Sequence, residues 1–297
     1  VGRVLRAQSG FYAVATDAGD VTAVLRGRVK KDRRESGLVA LGDMVRLAPL
    51  VQPPGDAGAV DAVIAEILPR RTSLVRRAPG PRGVWAQDVV VANVDLLVPV
   101  FAVREPTPNL RMLDRFLAVA EIDEIDCLIV FNKGDLAVPP EIEAAVARYR
   151  GIGYDVLVAS ATTGEGIDAL RAAISHGVSA VVGPSGVGKS SLLNAVAPGL
   201  ALRVGAVSDV GGRGRHTTRV GELHRLPGGG MVADTPGLRE LGVWRVDPGL
   251  LEFAFVEFRP YLHTCRYYDC THVHEPGCAG REAVDAGRIT PERHDSY

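Results

Sequence analysis

Apolar positions in this chain follow two rhythms, and the change from one to the other divides it. Residues 1–69 carry short apolar or alternating stretches at 4–5, 11–15, 21–25, 45–47 and 60–68, separated by Gly10, by 17–20, by Gly27 and by Gly42-Asp43. Five short strands with glycine turns predict a small β-barrel of the OB-fold type. Residues 70–83 are rich in Pro, Gly and Arg and predict a linker. Beyond it, apolar runs at 89–92, 94–101, 127–131, 156–158, 178–182 and 231–233 alternate with helical periodicity. Leu110, Leu113, Phe116, Leu117 and Ala120 share one helix face; 141–149 and 166–174 read as helices, and Leu192, Leu193 and Val196 start another. Strands alternating with helices predict a mostly parallel sheet covered on both faces. Three domains result: 1–69 a barrel, 70–241 an α/β domain, and 242–297 a small cysteine-bearing domain.

At 297 residues and 46% hydrophobic content the chain has enough apolar surface for several cores. No run approaches the ~18 residues of a membrane span and no charged-then-apolar leader opens the chain, which predicts a cytoplasmic protein without membrane contact. It starts at Val1 without a methionine and stops at Tyr297, and so reads as a trimmed chain. The net charge of −1 means that any nucleic-acid contact must come from local patches. One such patch is the stretch Arg26, Arg28, Lys30, Lys31, Arg33 and Arg34, with Asp32 as its one acid; it reads as a phosphate-tracking loop or as a solvated one. Lysine occurs at only four positions, Lys30, Lys31, Lys133 and Lys189, two of them inside the nucleotide motifs below.

Gly183-Pro184-Ser185-Gly186-Val187-Gly188-Lys189-Ser190 lies between an apolar strand and a helical pattern, the context a G-x-x-x-x-G-K-[ST] phosphate loop requires. The glycines let backbone N–H groups face an anion, and the following helix points its positive end there. Lys189 supplies a compact charge for the β- and γ-phosphates, Ser190 a hydroxyl for Mg²⁺, and Ser191 extends the phosphate-binding set. Asn132-Lys133-Gly134-Asp135 follows a buried strand, and an Asp there can accept both hydrogens of a guanine edge. Lys133 would lay its stem over the purine and Asn132 would tie the loop to its neighbours, although Asn, Gly and Asp also make ordinary turns. Ser160-Ala161 fits a loop whose amide supports the guanine oxygen. Asp234-Thr235-Pro236-Gly237 places an Asp to hold Mg²⁺ through water and a Gly237 amide toward the γ-phosphate. Between these lies 211–218, with His216, Thr217 and Thr218, which reads as a switch loop closing Thr218 onto Mg²⁺.

Cys265, Cys270, His272 and Cys278 make three thiolates and one imidazole, a complete tetrahedral set for a structural Zn²⁺, with His263 and His274 as alternative nitrogen donors. Cys127, in a buried run, reads as core. Aromatic and basic side chains around the cysteines, among them Tyr267, Tyr268 and Arg281, read either as packing or as a face for RNA.

The motif order is unusual: guanine motif, phosphate loop, threonine loop, then Asp-Thr-Pro-Gly, whereas ordinary GTPases begin with the phosphate loop. With the barrel before it and Cys265, Cys270, His272 and Cys278 after it, the chain resembles the RsgA (YjeQ/EngC) family of circularly permuted GTPases. The resemblance implies GTP hydrolysis during maturation of the small ribosomal subunit, contact with ribosomal RNA, turnover stimulated by the subunit, and release after hydrolysis. It also implies Zn²⁺ and Mg²⁺ with GTP or GDP. A monomer is the default expectation. Leu238 stands where many GTPases carry a Gln that orients water. Leucine has no polar atom, so slow intrinsic hydrolysis is expected, with His216 orienting or activating water beside Lys189 and Thr218. Two rival readings are an ATP-using enzyme, for which Asp135 is incidental, and an RNA-binding zinc protein whose nucleotide domain does not hydrolyse.

Overall fold

The computed structural model describes residues 1–26, 39–49, 60–79, 85–202, 221–234 and 248–297. Its N-terminal strands are β1 (Gly2–Gln8), β2 (Phe11–Thr16), β3 (Gly19–Leu25), β4 (Met44–Pro49) and β5 (Ala62–Ile67). β1–β2, β2–β3, β4–β5 and β1–β4 pair antiparallel and β3–β5 parallel, which closes the expected five-stranded barrel. Val4, Tyr12, Val14, Val45, Ile64 and Ile67 fill it. A register shift between Val4 and Arg6 lets consecutive apolar residues face different cores: Val4 packs inside the barrel and Leu5 joins the core of the neighbouring sheet.

The segment expected to be a linker is instead a strand. β6 (Ser73–Pro79) pairs antiparallel with β7 (Trp85–Ala92), with fully buried Leu74 opposite Val91. Arg76, one of the arginines that made the stretch read as a linker, is matched across the ladder by Asp88 at 2.7 Å. A cross-strand partner is a pairing that composition does not reveal.

The second sheet holds β8 (Leu96–Ala102), β9 (Asp126–Asn132), β10 (Asp155–Val158), β11 (Val178–Val182), β12 (Glu222–Arg225) and β13 (Met231–Asp234). Their order is β10-β9-β8-β11-β13-β12, all parallel except β12. The strand feeding the phosphate-loop sequence, β11, is central in space but follows three others of its sheet along the chain. Both faces of β8 are buried, Leu97 and Phe101 in one core and Val98, Val100 and Ala102 in the other, hence its unbroken apolar run. α1 (Leu110–Ile122) and α2 (Pro140–Ile152) cover the first face through Phe116, Leu117 and Tyr149, while α3 (Ile167–Ala173) and α4 (Lys189–Val196) cover the second through Ile167, Leu170, Leu192 and Leu193. Asn109 caps α1 by accepting the Met112 N–H at 3.1 Å.

Barrel and sheet are joined. β1 pairs with β12 at Arg6 and Glu222, and the Arg225 guanidinium meets Asp20. The fully buried Asp43 takes two bonds from Arg70, at 2.7 and 2.8 Å, and Asn93 donates to the Gly42 carbonyl at 3.0 Å. Gly42, at φ +79, brings its backbone so close that a Cβ there would lie 2.2 Å from the Ala92 oxygen. After residue 247 the chain forms α5 (Pro248–Ala254), a 3₁₀ helix (Val256–Tyr261), α6 (Ala279–Asp285) and α7 (Pro291–Ser296). Ala254, Phe255, Phe258, Ala283 and Ile289 pack against Ala118 and Ile122 of α1. Among the described residues no helix is long and apolar enough to cross a membrane.

Candidate functional site

β11 is buried along its whole length and stops at Gly183, whose φ of +135 and approach to β8 leave no room for a side chain: a Cβ would sit 2.1 Å from the Val100 oxygen. Gly186 and Gly188 also have positive φ, and a Cβ on Gly188 would lie 2.3 Å from Asn132 Nδ2. The loop therefore winds tightly, with Pro184 half-buried and Ser185 and Gly186 exposed, and then enters α4 at Lys189. Its N-cap residue, Gly188, brings no capping side chain. The Lys189 ammonium curls back across the loop to the carbonyls of Gly183 and Pro184, at 2.7 and 2.6 Å. Ser190 and Ser191 are half-buried on the first turn.

One side chain fastens three of the predicted segments together. Asn132, 2% exposed at the end of β9, donates through Nδ2 to the carbonyl of Val187 in the glycine loop at 2.8 Å. Its Oδ1 accepts the backbone N–H of Ala161 at 3.3 Å. Ser160, fully buried, donates its hydroxyl to Asp135 Oδ1 at 2.5 Å and accepts the N–H groups of Thr162 and Thr163. The Asp135 carboxylate is thus held from one side. Gly134 makes this possible, since a Cβ there would lie 2.9 Å from Val158 Cγ1. The Lys133 ammonium is bonded to the backbone carbonyl of Glu105, in the loop after β8, a partner that no sequence pattern announced.

Asp234 ends β13, which runs parallel to β11 with Ala233 opposite Ala180, so its backbone arrives beside the strand that enters the glycine loop. His216, Thr218 and Gly237 lie outside the described residues, as do Leu238, 211–218 and the basic positions Arg28, Lys30, Lys31, Arg33 and Arg34.

At the C-terminus the one-atom donors of Cys265, Cys270, His272 and Cys278 all lie within 4.8 Å of one another. His272 Nδ1 is 3.4, 3.8 and 3.3 Å from the sulfurs of Cys265, Cys270 and Cys278, and the Cys265 and Cys278 sulfurs are 4.0 Å apart. Bonds of ~2.0 Å to nitrogen and ~2.3 Å to sulfur place tetrahedral ligands ~3.5–3.8 Å apart, so the set can hold a metal ion of that size. The alternative donors are elsewhere: the His263 ring stacks on Tyr268, and His274 is exposed. Backbone N–H groups of Ala279 and Arg281 point at the Cys265 and Cys278 sulfurs, at 3.3 and 3.4 Å, and hold them in place. Desolvation, with the Cys278 and Cys265 thiols alongside, pushes the Cys270 thiol up to about 12. Glu275 braces the turn by accepting from the Thr271 hydroxyl and N–H and from the His274 N–H, and these bonds hold its carboxyl well below the usual range. Cys127 takes no part; it packs against the sheet core, and burial raises its thiol far above the ordinary value.

A parallel sheet with a glycine loop at its central strand, an Asn-Lys-x-Asp loop fastened to it and chain order starting three strands early define a circularly permuted P-loop GTPase, here between a barrel and a cysteine-histidine cluster. The RsgA GTPase family model matches residues 67–244. The Small ribosomal subunit biogenesis GTPase RsgA of Gemmatimonas aurantiaca is 48% identical over 298 residues, spanning 100% of this chain and 94% of that protein. Its counterpart in Moorella thermoacetica is 44% identical, with the same shares covered. Among solved structures, YjeQ from Thermotoga maritima superimposes with a TM-score of 0.78 at 32% identity, covering 100% of this chain and 95% of that one. YloQ, described as a circularly permuted GTPase, gives 0.71 at 31%, covering 100% and 91%. The chain belongs to the RsgA GTPase family.

Proposed function

We propose that this chain binds the small ribosomal subunit late in its maturation, hydrolyses GTP there with turnover stimulated by the subunit, and leaves after hydrolysis. The observation that carries the reading is the Asn132 carboxamide, which bonds the glycine loop and the Ser160-Ala161 loop at once and so makes one pocket edge of three separate motifs. In that pocket Asp135 accepts the guanine N1 and amino hydrogens, Lys133 covers the purine face, and the Ala161 amide meets the guanine oxygen. Gly183, Pro184, Ser185, Gly186, Val187, Gly188, Lys189, Ser190 and Ser191 surround the phosphates. Ser190, Thr218 and Asp234 would hold Mg²⁺, which would supply positive charge to offset the triphosphate. The Gly237 amide faces the γ-phosphate, and Lys189 and Thr218 stabilise the charge that develops on it. With Leu238 unable to orient water, that role falls to His216.

Cys265, Cys270, His272 and Cys278 hold a structural Zn²⁺, supported by donor chemistry and spacing. The relatives' names support the small ribosomal subunit as the partner. Contact with its ribosomal RNA through the barrel and the basic 26–34 stretch, in a cytoplasmic setting, belongs to the same proposal.

Multiple-turnover phosphate release, measured with GTP and with ATP and with and without small subunits, tests the reading. GTP turnover that is slow alone and accelerated by subunits is expected. Turnover with ATP as fast as with GTP, or no release under any condition, would replace it with one of the rival readings.

A further inference from the structure

We propose that Glu252 is a positioning residue of the metal centre, its carboxylate fixing the His272 ring so that Nδ1 and not Nε2 meets the metal. The proposal rests on the zinc reading above. The two ring nitrogens have different surroundings: Nδ1 faces the three sulfurs at 3.3 to 3.8 Å, while Nε2 lies 3.3 Å from Glu252 Oε2. A neutral imidazole carries one N–H hydrogen. If the Nδ1 lone pair is given to a metal, that hydrogen stands on Nε2 and needs an acceptor. Water is a poor substitute, because the ring is only 2% exposed and is flanked by Phe258 and Tyr297 at 5.6 and 6.2 Å between centroids. His294 contacts the His272 backbone carbonyl at 2.8 Å and so does not serve the ring. Glu252 belongs to none of the cysteine-bearing turns. It stands on α5, the first described helix after Asp234, so the centre is assembled from two separated parts of the chain. A carboxylate in this place orients the ring and strengthens the nitrogen as a ligand, and losing such a partner weakens metal binding by about 10- to 100-fold.

The full chain is first loaded with Zn²⁺ and its metal content measured; a wild-type chain that retains none removes the zinc reading itself, and this proposal with it. With metal bound, transfer of Zn²⁺ to a chromogenic chelator is timed for wild type, Glu252→Gln and Glu252→Leu, which have similar volume and differ in whether they can accept a hydrogen bond. Glu252→Gln should release metal at close to the wild-type rate and Glu252→Leu about tenfold faster. Leucine as slow as wild type overturns the proposal, and so does glutamine as fast as leucine. Should the leucine variant fail to fold, long-range ¹H–¹⁵N spectra of the zinc-loaded wild type decide instead: Nε2 protonated and Nδ1 metal-bound supports the assignment, and the reverse tautomer ends it.

Discussion

In the proposed function the most specific residue is Asp135, because its carboxylate would meet two donors that a guanine edge has and an adenine edge lacks. Ser160 holds one of its oxygens at 2.5 Å, so the side chain is oriented before any base arrives. Asp135→Asn should weaken GTP by about 10- to 100-fold, the worth of a charge-assisted pair, and favour xanthosine triphosphate; nucleotide titrations check both. Gly183 is constrained by shape instead. Gly183→Ala would push a methyl group to 2.1 Å from the Val100 oxygen at φ +135, which should cost about 1–3 kcal/mol in a urea unfolding curve. A third residue, Asp123 at the end of α1, has its carboxyl raised to about 6 by burial. A raised carboxyl pKa adds stability below the unfolded value of 3.8, and the contribution is lost as pH rises through about 6. Asp123→Asn should therefore match wild type in acid and gain a Tm advantage that opens between these two pH values.

Among the elements, α7 is anchored by one buried charge. Arg293 is 1% exposed, bonds Asp114 of α1 at 2.6 Å and Glu257 of the 3₁₀ helix at 2.5 and 2.9 Å, and lies over the Phe255 ring. Burial alone would lower its pKa, yet Glu257 and Asp114 hold it above its usual range. Tyr149 of α2 donates to the same Asp114 oxygen at 2.7 Å. Arg293→Met would strand two carboxylates and should destabilise the chain by about 3–5 kcal/mol, read by denaturant unfolding. Nothing in the sequence announced this, since Arg293 and Asp114 are far apart along the chain and each looks like an ordinary surface residue. The elements that were legible, such as α1 with its five-residue apolar face, are those whose partners lie within a turn or two. β6 was misread because what makes it a strand, burial of Leu74 against Val91 and pairing of Arg76 with Asp88, lies on another segment.

Across the whole molecule, two of the described ion pairs where the barrel meets the rest of the chain differ in character. Arg225 and Asp20 are each 49% exposed, and such a pair contributes at most about 1 kcal/mol and is screened by salt. Arg70 and Asp43 are 17% and 0% exposed, and removing one partner leaves a buried charge at a cost of about 3–5 kcal/mol. Asp20→Ala should therefore leave the unfolding curve in physiological salt almost unchanged. Asp43→Ala should loosen the barrel, seen as proteolysis at the junction or as a separate early transition.

What the sequence by itself determined was chemistry confined to short stretches: a glycine loop ending in Lys189, a carboxylate at Asp135, three cysteines and a histidine at ligand spacing, and a permuted order along the chain. Such patterns are legible because backbone geometry and donor type act within a few residues. The tertiary structure decided what converges. It set Asn132 against Val187 across the sheet, chose His272 over His263 and His274, gave Lys133 the Glu105 carbonyl and supplied Glu252 from a distant helix. Those choices depend on which strand lies beside which and on which groups lose water together, and that information exists only once the chain has packed.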